Sequence, residues 1–68
     1  MTKRLYTVAE LDAHQPCGVH VDCEDGFFKD AVLTGVYTDG RFDLALADGK
    51  THIVCGPIHN GMTKVFLA

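Results

Sequence analysis

The 68-residue chain has no tryptophan, and no apolar run in it approaches the ~20 residues of a membrane-spanning helix, so no membrane association is expected. It is poor in cations. Six Lys and Arg stand against nine Asp and Glu, for a net charge of −3, and the six are scattered at 3, 4, 29, 41, 50 and 64. Nucleic-acid surfaces draw much of their affinity from clustered cations that release counterions. Binding over the whole surface is therefore disfavoured, and only a patch assembled in three dimensions stays open. Three cysteines are an odd number and too few for a secreted disulfide scaffold. The opening MTKRLYTVAELDAH carries acidic residues where a signal peptide needs an apolar segment. These absences point to the cytoplasm and to reduced thiols, where a Cys23–Cys55 disulfide is not expected. The seven glycines fall in turns and bends, so no loop cradles a phosphate. Repeats and linkers are lacking too, which leaves a single domain over 1–68. A chain this short buries only ~60% of its unfolded surface, which makes a homo-oligomer a reasonable expectation.

What is present is a strand pattern. In DGFFKDAVLTGVYTDGRFDLALADG, residues 25–49, Asp-Gly recurs three times between apolar runs, a hairpin signal because type I′ turns need positive φ at both central residues. Phe42, Leu44 and Leu46 alternate with polar or small residues and share one face. Strands are expected at about 18–24, 27–38, 41–47, 50–55 and 63–67, with Gly35 as the bend of the long second strand. Ahead of them, Thr7 and Glu10 form a capping box, Tyr6 and Leu11 a hydrophobic staple, and Pro16 stops a helix of about 8–14. Leu5, Val8 and Leu11 give that helix one apolar stripe, placed over an open end of the sheet. The reading is mainly β: a short N-terminal helix, then a five-stranded, strongly bent antiparallel small barrel.

These motifs resemble the Sm-like barrel. Val19-x-Val21, Asp25-Gly26, Leu33-Thr34-Gly35, Asp43-Leu44-Ala45-Leu46 and Asp48-Gly49 follow the order of that family's first motif, and the leading helix fits as well. Tudor-type barrels share part of the pattern, but the aromatic cage they need is absent here. The Sm-like resemblance implies an RNA-binding ring, with contacts near Phe42, Asp43, Asn60 and Lys64. Two positions depart from it. Asp43 stands where the family uses Asn to contact a base, and Asn60-Gly61 stands where it uses Arg-Gly. Both changes remove donors or positive charge from an RNA site. Small inhibitors of the Rho terminator share the helix-plus-barrel layout and present acidic surface to a basic RNA-binding protein, although their Cys…Asp-Tyr opening is missing here.

Three constellations compete to carry chemistry. The acidic residues Asp25, Asp39 and Asp48 are accounted for by turns. Asp22, Asp30 and Asp43 instead fall inside strands, where Asp is disfavoured, and the strand registers put all three on outward positions of consecutive strands. Such a carboxylate face suits a basic protein partner, with Arg41 and Phe28 beside it. Of the adjacent Phe27 and Phe28, only one can face the core; the other is either covered by the helix, which is the expectation, or exposed as a contact anchor. The second constellation is thiol and imidazole. Cys55 and His59 with Cys17 or Cys23 offer at most three zinc ligands, whereas the plainer role of these cysteines is as small core residues. The third is a nucleophile paired with a base, for which no pairing stands out. The sequence thus reads as a non-enzymatic binding or regulatory module without a cofactor. Its acidic face would engage a basic protein; Sm-like RNA binding is the alternative, and a small zinc- or thiol-dependent protein using Cys55 and His59 the second.

Overall fold

A computed structural model describes residues 3–68. Six strands, β1 (Arg4–Leu5), β2 (Cys17–Cys23), β3 (Gly26–Val36), β4 (Phe42–Ala45), β5 (His52–Cys55) and β6 (Lys64–Leu67), form one antiparallel sheet in the order β1-β6-β2-β3-β4-β5. A single helix, α1 (Val8–His14), separates β1 from β2, and a 3₁₀ turn at Ile58–Asn60 leads into β6. No helix among the described residues is long and apolar enough to cross a membrane.

The protein is mainly β, with two corrections to the expected barrel. Among the described residues there are six strands rather than five, and the sheet is open: β1 and β5 end it and do not pair with each other. The extra strand is Arg4–Leu5, which pairs with Phe66 and Val65. Two residues are too few for a period of two to show in a sequence. The interior follows the alternation that the sequence carries. Val19 and Val21 of β2, Leu33 of β3, Phe42 and Leu44 of β4 and Val65 of β6 are all fully buried.

The helix occupies the expected residues. Thr7 Oγ1 accepts from Glu10 N at 3.1 Å, and the Glu10 carboxylate reaches back to accept from Tyr6 N at 3.2 Å, one residue beyond the usual box. Leu11 is fully buried. Tyr6 stays exposed, with the Arg4 guanidinium 4.6 Å from its ring centroid. The helix packs against β3, and Val8 and Ala9 share a shallow groove with Val36, Tyr37 and Thr38.

Two irregularities bend β3. The β3–β4 register slips between Leu33 and Gly35, at the expected bend. A side chain at Gly35 would put its Cβ 3.2 Å from Asp43 Oδ2, a close approach that the carboxylate would have to yield to by a few tenths of an ångström. The second slip was not legible in the sequence: Val19 pairs with Ala31 but Val21 with Phe28, which leaves one extra residue on β3 opposite His20. Asp30 takes up the excess at φ 59°, in the left-handed region that Asp enters more readily than most residues.

The hairpin turns also differ from the expected form. Gly26 pairs with Cys23, which makes Glu24-Asp25 the loop, and Gly40 N and Gly49 N donate to Tyr37 O and Leu46 O. Each Asp is the third residue of its turn, and the following glycine takes the positive φ.

Candidate partner-binding face

The chemistry of this surface is sorted by what each carboxylate does. Five of the nine have intramolecular work. Glu10 caps α1, and Asp12 accepts from Gln15 Nε2 at 2.7 Å. Asp39 accepts from Arg41 N at 3.1 Å and pairs with its Nε at 2.7 Å. Asp43 accepts from the Tyr37 hydroxyl at 3.1 and 3.0 Å. Asp48 accepts from Lys50 N and Thr51 N, both at 2.8 Å, and from the Thr51 hydroxyl. The causes show in the acidities. The Thr51 hydroxyl and the two amides hold Asp48 down at about 2, and the Arg41 amide and guanidinium hold Asp39 below its ordinary value. Asp43 pushes the Tyr37 hydroxyl up, by hydrogen bond and by charge.

The other four carboxylates, Asp22, Glu24, Asp25 and Asp30, have no hydrogen-bond or ion-pair partner among the described residues. All four lie on one hairpin, built from the end of β2, its two-residue loop and the start of β3. Asp22 stands opposite Phe27 on one side and Lys64 on the other. Phe27 is 60% exposed, and its ring stacks with that of His20 at a centroid distance of 6.3 Å and an interplanar angle of 27°. His20 is itself positioned by the bulge, because its Nδ1 accepts from Asp30 N at 3.2 Å. The assembly is an exposed Phe27 ring stacked on a half-buried His20, on a hairpin that carries the uncommitted carboxylates.

The chain matches no family model, curated protein or solved structure. The face is therefore judged by its geometry.

That geometry rearranges the expected site. Asp22 and Asp30 belong to the face. Asp43 and Arg41 do not: Asp43 is half-buried under the Tyr37 hydroxyl, and Arg41 is engaged with Asp39 while lying 5.7 Å from the Tyr37 ring centroid. Phe28 turns inward and packs against the core, so its neighbour Phe27 is the exposed one, and not a residue covered by the helix. Asp25 is not accounted for by turn bonding as Asp39 and Asp48 are. Its difference from Asp48 can be read in the sequence, since Asp48 has Thr51 three residues on to donate to it and Asp25 has Phe28.

The positions implied for RNA are not brought together as a loop site. Phe42 is fully buried, Asp43 is engaged, and Asn60 Oδ1 is occupied by Met62 N and Thr63 N at 2.8 and 3.1 Å. Lys64 is exposed opposite Asp22. Of the thiol and imidazole set, Cys23 and Cys55 meet with their sulfurs 4.0 Å apart. Cys17 pairs with Leu33 at the far end of β2, and the His59 ring lies against Gly40, where an added Cβ would come within 2.7 Å of its Nδ1. No group of three or more His, Cys, Asp or Glu is placed to hold a metal among the described residues.

Proposed function

We propose that this chain is a non-enzymatic binding module that takes a basic protein segment on the β2–β3 hairpin. One observation carries the reading: the carboxylates without an internal partner among the described residues, Asp22, Glu24, Asp25 and Asp30, share one hairpin with the exposed Phe27, whose ring stacks on the half-buried His20. An arginine of the partner satisfies both halves of this surface at once. Its guanidinium lies flat on an aromatic face and gives paired donors to a neighbouring carboxylate. The net charge of −3 attracts such a partner over distance and repels phosphate, which favours a basic protein over RNA.

The test is a titration of isotopically labelled protein with an arginine-rich peptide, followed residue by residue by NMR. Shifts are expected at residues 20–30 and at Lys64, weakening as salt rises. Asp22→Asn with Asp25→Asn should abolish them, and Asp39→Asn should leave them unchanged. Wild-type binding by the double variant, or shifts centred on Tyr37 and Asp43, would defeat the proposal.

A further inference from the structure

Cys23 and Cys55 are the last residues of β2 and β5, two strands separated in the sheet by β3 and β4. Their sulfurs nevertheless lie 4.0 Å apart, because the sheet curls until the ends of these strands face each other. A cavity of about 100 Å³ is lined by both cysteines, with Glu24, Asp25, Asn60 and Thr63 also in its wall. Cys23 is followed by the Glu24-Asp25 turn, and Cys55 by the irregular Gly56-Pro57 segment that leads into the 3₁₀ turn. A disulfide needs the sulfurs ~2 Å apart. The cavity gives the two side chains room to rotate, and the exposed Glu24-Asp25 turn lets the Cys23 end of the pair follow. The two thiols also differ in access, since Cys23 is half-buried and Cys55 is buried.

We infer that Cys23 and Cys55 form a modification site, a dithiol that a small disulfide such as glutathione disulfide oxidises to an intramolecular bond linking β2 to β5. The Cys23 thiolate attacks one sulfur of glutathione disulfide, forming a mixed disulfide and releasing one glutathione thiolate. Cys55 then attacks Cys23 Sγ and expels the second glutathione thiolate. The two protons lost from the cysteines end on the two glutathiones. The protein is oxidised by two electrons, and the reagent is reduced by the same two. Burial, the Cys23 sulfur and Asp25 hold the Cys55 thiol up at about 12, so the second step is slow near neutrality and quickens as pH rises. Cys17, at the opposite end of β2, is an internal control. The inference does not depend on the binding role proposed above.

The experiment treats the native protein with glutathione disulfide, quenches in acid, alkylates and maps the thiols by mass. The expected product has lost two hydrogen atoms and keeps one alkylatable thiol, Cys17. Its melting temperature is raised on the order of 10 °C and returns with dithiothreitol, since the bond closes a long loop. Cys17→Ser should oxidise as the wild type does, and Cys55→Ser should stop at one glutathione on Cys23. A wild-type protein that stops at glutathione adducts, links to a second copy or uses Cys17 would overturn the inference. So would a Cys17→Ser protein that stays fully reduced.

Discussion

Asp25-Gly26 and Asp48-Gly49 are the same dipeptide closing two hairpins of the same sheet, and in both the glycine carries the positive φ. Around Asp48 the chain folds back on the carboxylate, with two amides and a hydroxyl donating to it, and its acidity reflects them. Around Asp25 nothing donates among the described residues, and its neighbours Asp22 and Glu24 are equally unengaged. A turn needs the backbone freedom of Asp-Gly, but it does not need a free acid. The carboxylates on the β2–β3 hairpin are thus surplus to folding, whereas the one on the β4–β5 turn is part of it. That difference separates binding residues from structural ones more cleanly than position within a strand does.

The comparison breaks most visibly at the phenylalanines. Phe42→Ala empties a fully buried site and should cost about 3–5 kcal/mol, most of the stability a domain of this size has. Phe27→Ala should stay within about 0.5 kcal/mol in a denaturant titration and yet weaken peptide binding severalfold. A large loss of stability from Phe27→Ala would make that ring a packing residue. The two turns come next. Asp48→Asn should lower the melting temperature by several degrees, and Asp25→Asn should leave it level or slightly raise it by easing repulsion from Asp22 and Glu24. The pH dependence fixes the sign. Asp48 is more acidic folded than unfolded, so its contribution is present above its ordinary value of 3.8 and is lost as pH falls toward about 2. The gap between wild type and Asp48→Asn should therefore close over that interval in acid melts. A gap that persists at pH 2 would mean that the carboxylate charge is not what holds the turn.

The alkaline side tests the thiol pair in its reduced form. Cys55 is less acidic folded than unfolded, its pKa raised from the ordinary 9.0 to about 12, so the stability it confers is complete below 9 and is lost as pH climbs through that range. In reducing buffer, wild type should lose stability above pH 9 more steeply than Cys55→Ala. Parallel curves would show that the buried thiol does not resist ionisation.

Much of this was legible before any coordinates. The helix, its cap, the alternation of β2 and β4 and the bend near Gly35 follow from local rules, and the structure has them. The failures share one cause. Facing on β3 depends on how many residues lie between the turn and the core, and the bulge at Asp30 inserts one that no periodicity announces. That single residue decides that Phe27 and not Phe28 is exposed. Asp43 was misread for a related reason. An outward register does not make a side chain free when Tyr37, six residues earlier, returns its hydroxyl across the bend. The β1 strand and the meeting of Cys23 with Cys55 are pairings between distant parts of the chain, which spacing along one strand cannot show.

The smallest predicted effect separates the two reasons for an acid at position 30. Its backbone stands at φ 59°, where Asn and Gly are also comfortable, and its amide donates to His20. Asp30→Asn keeps the conformation and removes the charge. It should change stability by less than about 0.5 kcal/mol while weakening the arginine-rich peptide measurably. Asp30→Gly should stabilise by about 0.5–1 kcal/mol by removing the left-handed strain, with the same loss of affinity. If both variants bind as the wild type does, Asp30 is there for the bulge alone, and the binding face shrinks to Asp22, Glu24, Asp25 and the Phe27–His20 pair.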